Sequence, residues 1–386
     1  MSAAREIRSK ISRFLAPLLA YRPVETSGSG RSRIAESSSA DQRQSASDGG
    51  TALQAGRDIS IIHGMNYADT KQVALDVFRS NFYELAGLAK QEATARAEEV
   101  TEAFLKKLLA ENPGGFQYAN DPGFQHALYT VQKEHAKTGD PDLGDLLVDL
   151  LVDRTKYPQR DFVQIVLDES LSTAPKLTEA QLADISVIFL LRFTRNGGLG
   201  NYDTFGRHLD QHVQPFVSKL TKSQASFQHL EFSGCGSIAV TEILLEEVFR
   251  RTYAGLFVKG FDPQEVVSRG VTLGLDERIF VPSLNDPTKI QVRALTTEQL
   301  EATLEQLNIG LEDRARIRGL FEYNAMTPDE IRARCVELRP YMAEVFDFWS
   351  NSAAKNFTLT SVGIALAHAN IKRLAGEFAD LAIWIN

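Results

Sequence analysis

The chain has only two cysteines, two tryptophans and four methionines in 386 residues. Cys235 and Cys335 stand far apart, and neither belongs to a C-x-x-C pair. That removes a zinc ribbon, a thioredoxin-type motif and a disulfide framework, and two lone thiols suit a reducing cytoplasm. Long apolar runs are also missing. The longest, ISVIFLLRF at residues 185–193, is the size of a core element, too short to cross a bilayer. No G-x-x-x-x-G-K-[ST] occurs. The glycine-rich GGLGNYDTFG, residues 197–206, follows a helical pattern, so it lacks the strand–loop–helix setting of a nucleotide cradle and reads as a surface loop.

Positive charge is outnumbered outside the first fifty residues. The net charge is −8, yet residues 1–50 hold eight Lys/Arg against five Asp/Glu, which leaves −11 on the remaining 336. A body that acidic is poorly matched to nucleic acid, because duplex affinity rests largely on neutralising phosphates. No Lys/Arg-dense face interleaved with aromatics offsets this.

The composition is otherwise that of a globular protein, with 43% apolar and 24% charged residues, enough for a sizeable core. Residues 1–50 read as a basic amphipathic helix followed by a disordered linker. Ile7, Ile11, Phe14 and Leu18 recur at helical spacing among Arg5, Arg8, Lys10 and Arg13. Such a helix touches a membrane surface or a partner, or simply docks on its own protein. It lacks the uninterrupted apolar core of a signal peptide. Residues 24–50 are too poor in large apolar side chains to offset ordering entropy. Residues 51–68, TALQAGRDISIIHGMNYA, form a short β-prone segment.

From Asp69 the pattern turns helical, with Asp69 and Gln72 spaced as a capping box. Thr178–Gln181 and Thr327–Pro328–Glu330 repeat that grammar, and Asp262–Pro263 with Gly270 frames another helix. In residues 143–154, Leu146, Leu147, Leu150 and Leu151 share one face, with Asp145, Asp149 and Asp153 opposite as a solvated face. Strand patterns are fewer. HLEFSGCGSIAV (229–240) reads as a strand entering a glycine turn, and RIFVPSL and KIQVRAL flank a turn at Asn285–Thr288. FADLAIWIN closes the chain as a terminal strand. The expected fold is mainly α: a multi-helix body with a small β-sheet in the C-terminal half (α+β), preceded by a disordered leader. Residues 69–227 make a helical domain and 228–386 an α+β domain with the small sheet.

Two spots carry candidate chemistry. Cys235 sits in a glycine-rich turn after the expected strand, a setting that exposes a nucleophile beside backbone N–H groups, with His229 the nearest base in sequence. A buried cysteine acting as a small hydrophobe is the plainer reading. His208 and His212 lie four apart, so both imidazoles share a helix face and suit a transition metal. The glutamate of H-E-x-x-H is missing and no third ligand stands out, so polar surface is the plainer reading there. No cofactor is indicated.

LQAG followed by RDISI is similar to the core of RHIM-like amyloid-signalling motifs, where glutamine ladders and a glycine turn suit in-register stacking. That resemblance makes Gln54, Gly56, Ile59 and Ile61 interaction residues. It covers about ten residues, and Ala55 and the charged Arg57–Asp58 pair depart from the pattern. A wider resemblance rests on residues 54–82, QAGRDISIIHGMNYADTKQVALDVFRSNF, and on LTSVGIALAHANIKR…DLAIWI within residues 359–385. The two blocks look like an uncharacterised bacterial family of cytoplasmic proteins, related segments of which occur among accessory proteins of defence-type systems. It implies no catalytic residue.

The functional expectation is a cytoplasmic bacterial interaction protein, a sensor, adaptor or scaffold of the stress or anti-phage response. It is self-associating or bound to a protein partner, and peripheral to the membrane if residues 1–23 bind lipid. The alternatives are a hydrolase-type enzyme using Cys235 and His229 or a metal at His208 and His212, and an amyloid-signalling or membrane-associated effector. The sequence names no small-molecule ligand.

Overall fold

The computed structural model describes residues 66–81, 87–376 and 378–385. All lie in one compact unit, His63–Asn386. The basic leader with Ile7, Ile11, Phe14 and Leu18, and the β-prone segment with Gln54, Gly56, Ile59 and Ile61, fall outside the described residues.

The body is mainly helical with two small antiparallel sheets, as the pattern of periods led us to expect. Six helices come first: α1 (Tyr67–Asn81), α2 (Gly87–Glu111), α3 (Pro122–Thr138), α4 (Pro141–Arg154), α5 (Phe162–Thr173) and α6 (Glu179–Arg192). Their starts follow the capping logic of the sequence. Asp121 and Asp140 accept backbone N–H groups ahead of a proline at the first helical position, and Thr178 forms the expected capping box with Gln181. Asp69 does not cap α1. Asn66 does, one turn earlier, accepting from Asp69 N–H at 2.9 Å while Asp69 Oδ2 accepts from Asn66 N–H. Both positions suit a cap, and the reciprocal bonds leave Asp69 as the third residue of the helix, reaching back to the Asn66 N–H.

The middle of the chain holds α7 (Tyr202–His212), α8 (Gln214–Val217), α9 (Gln224–Phe232), strand β1 (Gly236–Ile238) and α10 (Leu245–Thr252). His229 is therefore helical, not part of a strand. Ser223 caps α9, and Phe227 and Leu230 bury one face at helical spacing, which outweighs the β-prone composition. Then come α11 (Gln264–Ser268), β2 (Phe280–Pro282), β3 (Ile290–Val292), α12 (Thr297–Gln306) and α13 (Leu311–Phe321). Strands β2 and β3 pair antiparallel, Phe280 opposite Val292, across the expected turn, where Asp286 accepts from Thr288 N–H. These elements share a small second core of Phe261, Val266, Phe280, Leu304, Ile317 and Phe321.

The chain finishes with α14 (Pro328–Leu338), α15 (Met342–Ser350), β4 (Phe357–Leu359) and α16 (Ser361–Ala375). Strand β4 pairs antiparallel with β1, Gly236 opposite Leu359. The expected terminal strand is instead a 3₁₀ turn, Leu381–Ile383, capped by Asp380. Trp384 Nε1–H reaches back to the Phe193 carbonyl at 2.8 Å, so the indole ties the turn down where a strand would have needed a free edge to pair with.

Helix α16 returns to the N-terminal helices and packs on α6, α5 and α4. Residues Gly363–Ile371 are buried almost without break. Helix α4 is enclosed by α2, α3, α5 and α16, so of the three aspartates expected on a solvated face only Asp145 is exposed: Asp149 is 1% exposed and Asp153 5%.

Close approach sets one testable position. The Cys235 carbonyl accepts from Thr360 N–H at 3.1 Å and lies against the first turn of α16, where a Cβ on Gly363 would run into it. Gly363→Ala is expected to cost about 1–3 kcal/mol by overpacking. Gly200→Ala, where nothing lies within 4 Å of the added carbon, should stay within about 0.5 kcal/mol. Urea midpoints decide it, and equal midpoints for the two variants would refute the contact.

Candidate functional site

Cys235 and His229 are close in the chain but do not form a nucleophile–base pair. Cys235 is fully buried, and burial pushes its thiol up to about 12. The thiolate is the nucleophilic form, so this sulfur is inert near neutrality. Its one polar neighbour is the Ser233 carbonyl oxygen, at 4.0 Å. His229 Nδ1 lies 3.0 Å from Gln181 Nε2, which donates to it. Cys335, on α14, is also free and buried, and burial raises its thiol too.

His208 and His212 do share a face of α7, with ring centroids 4.6 Å apart. Burial, helped by the neighbouring His212, lowers His208 to about 4, so it is neutral at physiological pH. His212 Nδ1 lies 3.1 Å from the His208 carbonyl, which makes that nitrogen the protonated donor. Among the described residues, no group of three or more His, Cys, Asp or Glu side chains gathers as a metal site. The pair instead leads into an aromatic cluster: His212 meets Phe378 at 6.0 Å, and Phe378 meets His368 at 5.6 Å and stacks on Trp384.

Behind Phe378 a group of ionisable side chains lines a cleft. It arises where α16 crosses α4, and it opens as a cavity of about 260 Å³. A chain of ion pairs leads from the lining residues Asp153, Lys156 and Lys372 to Glu111, Lys107 and Asp149 behind them. Lys107 pairs with the buried Asp149; Lys372 Nζ reaches Glu111 at 2.7 Å and Asp153 at 3.4 Å; Lys156 Nζ reaches Asp153 at 2.6 Å. The order is dictated by cost: a carboxylate this deep is tolerated only with a cation beside it. Burial holds Asp149 above the ordinary carboxylate range, with Lys107 pulling the other way. Burial also opposes the charge on Lys372, but Asp153 and Glu111 outweigh it and keep that ammonium above its usual pKa.

The cleft walls come from the end of α4 and the segment after α16. Tyr157 O–H donates to Asp380 Oδ1 at 3.1 Å, and burial together with that carboxylate raises the phenol to about 12. Asp380 is held below its usual range, first by the Ala382 N–H that it caps. His368, 4% exposed, donates from Nε2 to the Ala379 carbonyl at 2.7 Å, so its Nδ1 carries a bare lone pair that has no partner. Burial keeps this imidazole neutral by lowering its pKa. The sequence reading named none of these groups as a site, although Asp149 with Asp153 and His368 with Lys372 each show the spacing of four that puts two polar groups on one helix face.

A second feature is apolar and lies on the surface. Leu311 is 85% exposed, Val267 60%, Leu275 52% and Leu273 38%. The loop that carries Leu273 and Leu275 is tied to α13, the helix that begins at Leu311. Thr272 N–H and O–H bond the carboxylate of Asp313, and Arg316 Nη1 bonds the Gly270 carbonyl at 2.8 Å. Beside them the Arg269 guanidinium lies 4.4 Å over the Tyr323 ring.

A protein-family model described as “:-like” matches residues 64–385. The chain belongs to that family. Its description states no reaction or ligand, and the match takes in both the cleft and the apolar face. Comparison with curated proteins and with solved structures gave no match.

Two predictions follow from the buried groups. Iodoacetamide at pH 8 should label neither cysteine in the native chain and both in denaturant, read by intact mass; rapid native labelling of Cys235 would revive the nucleophile. The second concerns Asp184 on α6, which is fully buried and raised to about 8 by burial, with only Thr221 N–H to bond. A carboxyl raised on folding binds its proton more tightly in the native state. Its contribution is therefore complete below the unfolded pKa of about 4 and declines as pH rises to about 8. The stability difference between wild type and Asp184→Asn should shift against wild type across that window. A difference that stays constant from pH 5 to 9 would refute the burial argument.

Proposed function

We propose that this protein works by contact, as a cytoplasmic sensor, adaptor or scaffold that assembles with itself or with another protein. The observation that carries this is the apolar face of Val267, Leu273, Leu275 and Leu311. Single exposed leucines are ordinary, but several held to one edge by buried-carboxylate ties mark a surface built to be covered. The mixed charges around it, Arg269, Glu312 and Arg316, give the polar rim that protein interfaces carry. Two supporting points come from the other sites. The deeply buried thiol of Cys235 speaks against the hydrolase alternative, and free, buried cysteines suit a reducing compartment. Among the described residues no helix is long and apolar enough to cross a membrane. The stress or anti-phage setting is an extension from the sequence resemblance alone.

Native mass spectrometry of the full chain purified from its own host tests the reading. A defined assembly is expected, and Leu311→Asp should dissolve it while leaving the thermal midpoint nearly unchanged, since that side chain is exposed. The loss expected for an interface anchor is at least about 2 kcal/mol. A monomer for wild type, or an assembly indifferent to Leu311→Asp and Val267→Asp together, would overturn it.

A further inference from the structure

We infer that the cleft between α4, α16 and Phe378–Leu381 is a binding site for a small protonated amine.

The argument starts from what is left unpartnered. Both lysines that pair with Asp153 bond its Oδ1, leaving Oδ2 free. Asp380 likewise uses Oδ1 for Tyr157 and Ala382, leaving Oδ2 free. Two carboxylate oxygens on cleft-lining residues therefore lack a partner. Charge points the same way: the ion-paired network of Glu111, Asp149 and Asp153 with Lys107, Lys156 and Lys372 balances, three against three, and Asp380 adds one negative charge. Asp380 is the carboxylate with no ion-pair partner among the described residues.

An alkylammonium brings N–H donors for both oxygens and one positive charge for the unbalanced carboxylate. A hydroxyl brings a donor without charge, and an anion brings no donor and meets Asp153 and Asp380. Phe378 supplies an aromatic wall, favourable to a cation and to the methylenes behind it. The volume, about 260 Å³, falls below the range of about 300–1,000 Å³ for pockets that hold drug-sized ligands, so the amine is a small one. This site goes beyond the contact reading and does not depend on it.

Isothermal titration of the full chain with putrescine tests it, with 1,4-butanediol as the uncharged counterpart and inorganic phosphate as the anion. Putrescine is expected to bind with Kd below about 1 mM, and the diol and phosphate far more weakly. Asp380→Asn keeps the acceptor that caps the 3₁₀ turn but removes the charge, and should weaken putrescine by about tenfold or more. Phe378→Leu, which keeps apolar bulk and leaves every charge in place, should weaken it several-fold and serves if the first variant folds poorly. No putrescine binding, equal binding of the diol, or affinity untouched by both variants would overturn the proposal. Tighter phosphate than putrescine binding would overturn it in favour of the lysines.

Discussion

The last long helix packs on α4, α5 and α6, and most of what is distinctive here depends on that packing. Helix α16 buries Ile364, Ala365, Leu366, Ala367, Ala369 and Ile371 against α4, α5 and α6. Its alanines keep the approach close, and at its start Gly363 is required because the Cys235 carbonyl occupies the space of a side chain. The β1–β4 pairing seats that carbonyl, so a three-residue ladder positions a fifteen-residue helix. Asn370 donates to Ser186 Oγ at 3.0 Å, a buried polar tie that sets the axial position of α16 on α6.

The same packing converts ordinary helix surface into a charged interior. Once α16 covers α4, Asp149 and Asp153 lose water, and Lys107, Lys156 and Lys372 must stand beside them or the carboxylates would be too costly to keep ionised. The pairing is shared rather than one-to-one, with Lys372 between Glu111 and Asp153 and Asp153 between two lysines. Shared pairing leaves carboxylate oxygens over, and the segment after α16 adds Asp380. A cleft with unmet acceptors is therefore a by-product of closing the fold, available for a ligand without further construction.

The apolar face belongs to a different part of the chain, around the second core. There the short elements α11, β2, β3, α12 and α13 enclose few side chains, and a small core leaves more of its apolar residues outside. Asp313 and Arg316 tie the 270–275 loop to α13.

Much of this was legible locally. Helix starts at Thr178, Thr296 and Thr327, the turn at Asn285–Thr288, the helical class and the small antiparallel pairing follow from nearest-neighbour chemistry: a side-chain oxygen reaches an N–H three residues on, whatever the rest of the chain does. Composition likewise determined that a large core forms and that the body is acidic. Local reading misled where burial was at issue. Asp149 and Asp153 looked wet because they oppose four leucines, and period alone cannot show that a helix over two hundred residues away covers that side. His229 and the terminal FADLAIWIN looked extended because composition favoured strand, while Phe227 with Leu230 and the Trp384 tie decided otherwise through contacts distant in sequence. The sequence by itself thus determined which helices exist and how they begin. Only the tertiary structure decided which of their faces lose water, and with that which carboxylates need a cation, which thiols are silent and where an acceptor is left unpaired.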